Sequence, residues 1–135
     1  MINEEESIEV LYHNNYGNWR ISKKAIELYK LRNNNETEFV LDFVCRHDPI
    51  LIQIYKELGD DFEDKSSTTK IKKILKKYEN YYYIEEEYGK EIIRINYNKY
   101  SLDNMYNTIK EILQSNNNDN AKIKEIEQFI SVFQM

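Results

Sequence analysis

Phe39-Val40-Leu41-Asp42-Phe43-Val44-Cys45, followed at once by Arg46-His47-Asp48-Pro49, holds the reading on which the fold turns. Residues 38–45 are the most apolar run in the chain, too short for a helix of their own and rich in β-formers, so they read as a central strand covered on both faces. Asp42 is the exception within it. Directly afterwards Asp48 can cap a helix, Pro49 takes the first helical position where its missing N–H costs nothing, and Gly59 supplies the stop. Between them Leu51, Ile54, Tyr55 and Leu58 recur at helical spacing.

Upstream, Ile8-Glu9-Val10-Leu11-Tyr12 is short and β-branched and runs into the turn-rich His13 to Asn18. Ser22 is a good N-cap for a helix with Ala25, Ile26 and Tyr29 on its core face, ending near Arg32. Downstream, Tyr81 to Ile84 and Glu91 to Ile95 flank Tyr88-Gly89-Lys90, which predicts a β-hairpin with Gly89 at positive φ. Two apolar stripes then close the chain: Leu102, Met105, Tyr106, Ile109, Ile112 and Leu113, and after an Asn-rich loop Ile123, Ile126, Phe129, Ile130 and Phe133. Asp119 or Asn120 is the expected cap of the second. The expected architecture is α+β, a small mixed β-sheet with packed helices and a C-terminal helical pair. It divides into a flexible acidic tail at 1–7, a core at 8–100, and a helical hairpin at 101–135 packed on that core. With Phe129, Val132, Phe133 and Met135 near its end, the last helix is expected to dock on the domain or on a second copy, making a homo-oligomer.

Composition limits the function classes. The chain has 135 residues, enough for one core without a staple, and a single cysteine, Cys45, which excludes an internal disulfide. Its acidic start is not a secretory signal, and no run of apolar residues is long enough to span a bilayer, so an intracellular, soluble protein is expected. A net charge of −5 argues against a broad nucleic-acid footprint. The one basic cluster, Lys70, Lys72, Lys73, Lys76 and Lys77, stands beside Tyr81-Tyr82-Tyr83, the combination a single-strand binder would use, and reads as a solvated lysine face.

Chemistry-bearing motifs are sparse. Cys45, His47 and Asp48 are close in sequence, but metal binding needs three or four convergent ligands, and residues two apart on a strand do not meet as a nucleophile pair. Cys45 therefore reads as a buried thiol. Asp60, Asp61, Glu63 and Asp64 form an acidic loop without the ligand register of an EF-hand, and no P-loop, dinucleotide glycine pattern or nucleophile elbow is present. The reading names no catalytic residue, no metal ligand and no cofactor, and leans away from an enzyme.

Asn15-Tyr16-Gly17-Asn18-Trp19-Arg20-Ile21-Ser22, Arg46-His47-Asp48-Pro49 with Leu51, Glu57-Leu58-Gly59, and Tyr83-Ile84-Glu85-Glu86-Glu87-Tyr88-Gly89 together resemble an uncharacterised family of proteins from large double-stranded DNA viruses. That family shows Tyr-Gly-Gly-Phe/Trp-x-Ile-Ser, Arg-x-Asp-Pro-x-Leu and Tyr-Ile-x-Glu-Tyr-Asp-Gly in the same order. The likeness spans roughly residues 10–95. Asn18 replaces a frequent second glycine, the Asp60 to Asp64 loop replaces an Ala-Asn-Gly-like turn, and Lys73 and Lys77 replace an apolar residue and a proline. For residues 71–78, where Ile71, Ile74, Leu75 and Tyr78 follow helical spacing, the resemblance points to a strand.

The resemblance implies a viral origin, with the cytoplasm of an infected host cell as the setting, but no reaction. It directs attention to two loops. If the strands before them were adjacent and parallel, Tyr16, Trp19, Arg20, Arg46 and Asp48 would meet at one sheet end beside helix N-termini, a binding site for a ligand or partner. The competing reading makes Asp48 a cap only, ties Arg46 to a buried acid such as Asp42 or Glu27, and plugs the core with Trp19. The leading function is an interaction module for a host or viral protein; the alternative is a binder of, or enzyme on, a nucleotide or other anion.

Overall fold

A computed structural model describes residues 6–34 and 39–132 of the chain. The described residues form four α-helices and two antiparallel two-stranded sheets, an α+β arrangement closed by a helical pair. They fall into two compact units, Met1–Ile95 and Asn96–Met135.

In the first unit, β1 (Ser7–His13) pairs antiparallel with β2 (Thr69–Leu75), so that Val10 lies opposite Lys72 and Leu11 opposite Ile71. The expected single mixed sheet is thus replaced by two antiparallel ladders, the second being the hairpin of β3 (Tyr82–Glu87) and β4 (Lys90–Ile95). Side chains alternate across β1, and both of its faces are covered. Leu11 enters a core with Ala25 and Tyr29 of α1 (Lys23–Arg32), Leu51 and Ile54 of α2 (Pro49–Leu58), and Phe62. Val10 enters another with Ile74 and Ile93. β1 therefore joins the two cores of this unit. The tail expected to reach residue 7 ends sooner, because Ser7 opens β1 and the Glu6 carbonyl accepts from Lys76 N–H at 2.8 Å. Residues 1–5 lie outside the described residues.

The strand expected over 38–45 does not form. Residue 38 lies outside the described residues; from 39 onward the chain is irregular, with a 3-10 turn at Leu41–Phe43. Phe39, Leu41 and Val44 nonetheless pack against the helical core, Phe39 edge-on to Tyr29 at 5.4 Å. Irregular backbone can satisfy apolar side chains equally well, and exposed Asp42 would interrupt a strand covered on both faces. Of the segment 71–78, where a strand is expected despite helical spacing, residues up to Leu75 belong to β2, and Lys76–Tyr78 form a 3-10 turn.

The helix signals hold because they are local. Ser22 Oγ accepts from Ala25 N–H and donates to the Asp61 carbonyl at 2.6 Å. Asp48 Oδ1 accepts from Ile50 and Leu51 N–H at 2.8 and 3.2 Å, and Gly59 ends α2 at φ 55°. The acidic segment after it is a 3-10 turn, Gly59–Phe62, pinned by Phe62 in the core and by the Ile21–Glu63 bridge. In the second unit, Asn96 caps α3 (Tyr97–Gln114), and Asn118, in place of the expected Asp119 or Asn120, caps α4 (Asp119–Ser131). Leu102, Tyr106, Leu113 and Ile123 of the expected stripes are more than half exposed, and Phe133 and Met135 lie outside the described residues.

Asp48 does more than cap. Its Oδ2 accepts from Tyr29 OH at 2.9 Å, and burial, followed by this bond, holds the Tyr29 phenol up at about 12. Asp48→Ala should cost about 1–2 kcal/mol in urea melts and move the Tyr29 titration down toward the ordinary phenol range. An unchanged melting midpoint would contradict this role.

Candidate functional site

The outer edge of β1 faces away from β2 and needs partners for its backbone. Leu11 N–H donates to the Arg46 carbonyl at 2.9 Å, and His13 N–H donates to Glu91 Oε1 at 2.7 Å. Arg46 Nη1 and Nη2 donate to Glu91 Oε1 and Oε2 at 2.6 and 2.8 Å, a two-pronged ion pair whose side chains are only 17% and 8% exposed. The guanidinium carbon lies 4.1 Å from the centre of the Trp19 ring, a cation–π contact. Trp19 Nε1–H donates to Thr69 Oγ1 at 2.8 Å. Arg46 is thus tied to a buried acid, but that acid is Glu91 of β4, neither Asp42 nor Glu27.

Around this pair lies a cleft of about 500 Å³ whose lining includes Trp19, Arg20 and Arg46, with Asp42, Glu86 and Glu91. Three of the five expected site residues therefore meet. Tyr16 stands beside the cleft, 63% exposed, with Lys90 Nζ 5.8 Å from its ring. Asp48 does not line it and is occupied by α2 and Tyr29. The proximity does not come from parallel strands; it comes from the β3–β4 turn closing on the loop after β1. Gly17 N–H donates to the Tyr88 carbonyl at 2.8 Å, and a Cβ on Gly89 would fall 1.9 Å from the Gly17 carbonyl oxygen, so only glycine fits there.

His13, at the end of β1, is fully buried; its Nδ1–H donates to the Gly89 carbonyl at 3.1 Å, leaving Nε2 without a partner among the described residues. His13 and Glu91 are not among the residues expected at the site from sequence. For Glu91 a signal existed: it shares strand parity with Ile93 and Ile95, so an inward acid needing a cation was legible from the alternation.

A second cluster overturns an expectation. Cys45 is exposed and off any strand, and its Sγ lies 3.0 Å from His47 Nδ1. The turn that bonds Asp48 N–H to the Cys45 carbonyl at 3.0 Å folds the two side chains together, which an extended strand would have kept apart. Tyr82 OH is 2.6 Å from the same ring nitrogen.

No protein-family model, curated protein or solved structure matches the chain. Among the described residues no group of three or more potential ligands is placed to hold a metal, and no helix is long and apolar enough to cross a membrane.

Truncating Arg46 leaves the Glu91 carboxylate buried without its cation. Arg46→Ala and Glu91→Ala should each cost about 3–5 kcal/mol, and the double variant well below their sum. Additive losses in urea melts would show that the pair does not hold this unit together.

Proposed function

We propose that the chain is an interaction module that binds another protein through the face formed by the loop after β1 and the β3–β4 turn. The observation that carries this reading is Tyr88. A two-residue hairpin turn with both residues at positive φ, here 53° and 92°, favours Asn-Gly. The chain instead has Tyr88-Gly89, and the tyrosine is 83% exposed, so it makes little use of the core. A bulky residue held in the left-handed region costs on the order of 1–3 kcal/mol, and such strain clusters where side chains serve binding. The Tyr88 carbonyl accepts from Gly17 N–H, which holds the turn against the loop that carries exposed Tyr16, and Arg20, which lines the cleft with Gly89, pairs with no acid among the described residues. Tyrosine and arginine are the residues that dominate binding hot spots.

Capture of a nucleotide or other anion has less support, since Arg46 is neutralised by Glu91 and the cleft lining holds three carboxylates against two arginines. The motif resemblance supports a viral setting, with a host-cell or viral protein as partner and the infected-cell cytoplasm as location. A second copy of the chain is a special case of such a partner, separated by light scattering.

The test sets stability against binding. Tyr88→Asn should stabilise the fold by about 0.5–1 kcal/mol while removing the proteins that the wild type captures from infected or transfected cells, and Tyr16→Ala should weaken the same capture without changing the melt. Tyr88→Asn that retains every captured protein would end this reading.

A further inference from the structure

Independently of that face, we propose that Cys45 is a reactive thiol, with His47 as its base, that forms a mixed disulfide with low-molecular-weight disulfides of the glutathione type. The geometry is that of a nucleophile and base within hydrogen-bond reach, and Cys45 is an exposed residue. The third corner is Tyr82, whose hydroxyl lies 2.6 Å from His47 Nδ1 and 3.9 Å from Sγ. Burial and then the neighbouring Cys45 sulfur push the Tyr82 phenol well above its ordinary value, so it keeps its proton. The His47 ring also meets the Tyr82 ring edge-on at 5.4 Å, which fixes the imidazole in place. Once Nδ1 carries a proton, the tyrosine oxygen can accept from it and turn its own hydrogen toward the sulfur. His47 is in addition part of the wall of a groove of about 400 Å³ with Ile8, Pro49 and Ile52, and the Lys56–Glu9 ion pair at 2.6 Å is also part of that lining. The groove beside His47 gives a small disulfide an apolar seat.

The exchange balances without a further oxidant. His47 Nδ1 takes the Cys45 proton, Sγ bonds to one sulfur of the incoming disulfide, and the disulfide's S–S bond breaks. The leaving thiolate recovers the proton from the imidazolium and departs as a thiol. One protein thiol and one disulfide become one mixed disulfide and one thiol. The chain has no second cysteine to resolve the adduct internally, so it persists until an external thiol reverses it.

The experiment follows glutathione disulfide reacting with the full chain by intact mass, native and in urea, across a pH series. We expect the native protein to react at least about tenfold faster than the unfolded one, a single glutathionyl adduct as the main product, and a rate for His47→Asn that falls to within about twofold of the unfolded chain with an altered pH profile. Native reactivity equal to the unfolded rate would overturn the proposal without recourse to any variant. An unaffected His47→Asn variant, or a disulfide-linked dimer as the main product, would overturn it too.

Discussion

The outer edge of β1 is the constraint on which the first unit depends. β2 satisfies one edge of that strand, and among the described residues no third strand satisfies the other. Instead, a backbone carbonyl from Arg46 and a carboxylate from Glu91 accept the Leu11 and His13 amides. An acid used in this way carries its charge into a site only 8% exposed, and Arg46 supplies the countercharge in two-pronged geometry. One residue thus grips β1 through its main chain and β4 through its side chain. An ion pair so placed adds little net stability over an apolar filling of the same volume, yet loss of either partner is severe, so its contribution lies mainly in fixing which elements meet.

Much of the fold was legible where its determinants are local. Ser22, Asp48-Pro49 and Gly59 act within three or four residues of the backbone groups they satisfy, and each helix they bound appears where the spacing places it. The irregular path of residues 39–45 was not legible, because an apolar run reports burial and says nothing of whether the backbone also finds a ladder. Conversely, the segment 71–78 carries helical spacing, yet its residues up to Leu75 become strand because β1 needs a partner, a decision made about 60 residues away in sequence.

The candidate site was legible in part for the same reason. Trp19, Arg20 and Arg46 meet as expected, but through an antiparallel hairpin turn closing on a glycine. Parallel strand ends have no part in it. Glu91 lies 45 residues from Arg46, and nothing local pairs them. An extended strand would keep Cys45 and His47 apart, and a turn joins them in space. The thiol–imidazole cluster and the ion pair therefore share one short segment, Cys45 to Asp48, in which each of four consecutive side chains has a different partner: His47, Glu91, Tyr82 and the N-terminus of α2.

Native-state hydrogen exchange at β1 separates a closed outer edge from an open one. Val10 and Tyr12 alternate toward β2, whereas Leu11 and His13 point to Arg46 and Glu91. If the ion pair closes the outer edge, the Leu11 and His13 amides should be protected to within about tenfold of the Val10 and Tyr12 amides, opening only with the unit as a whole. Leu11 and His13 amides that exchange near the unprotected rate while Val10 stays protected would show an open edge and contradict the account.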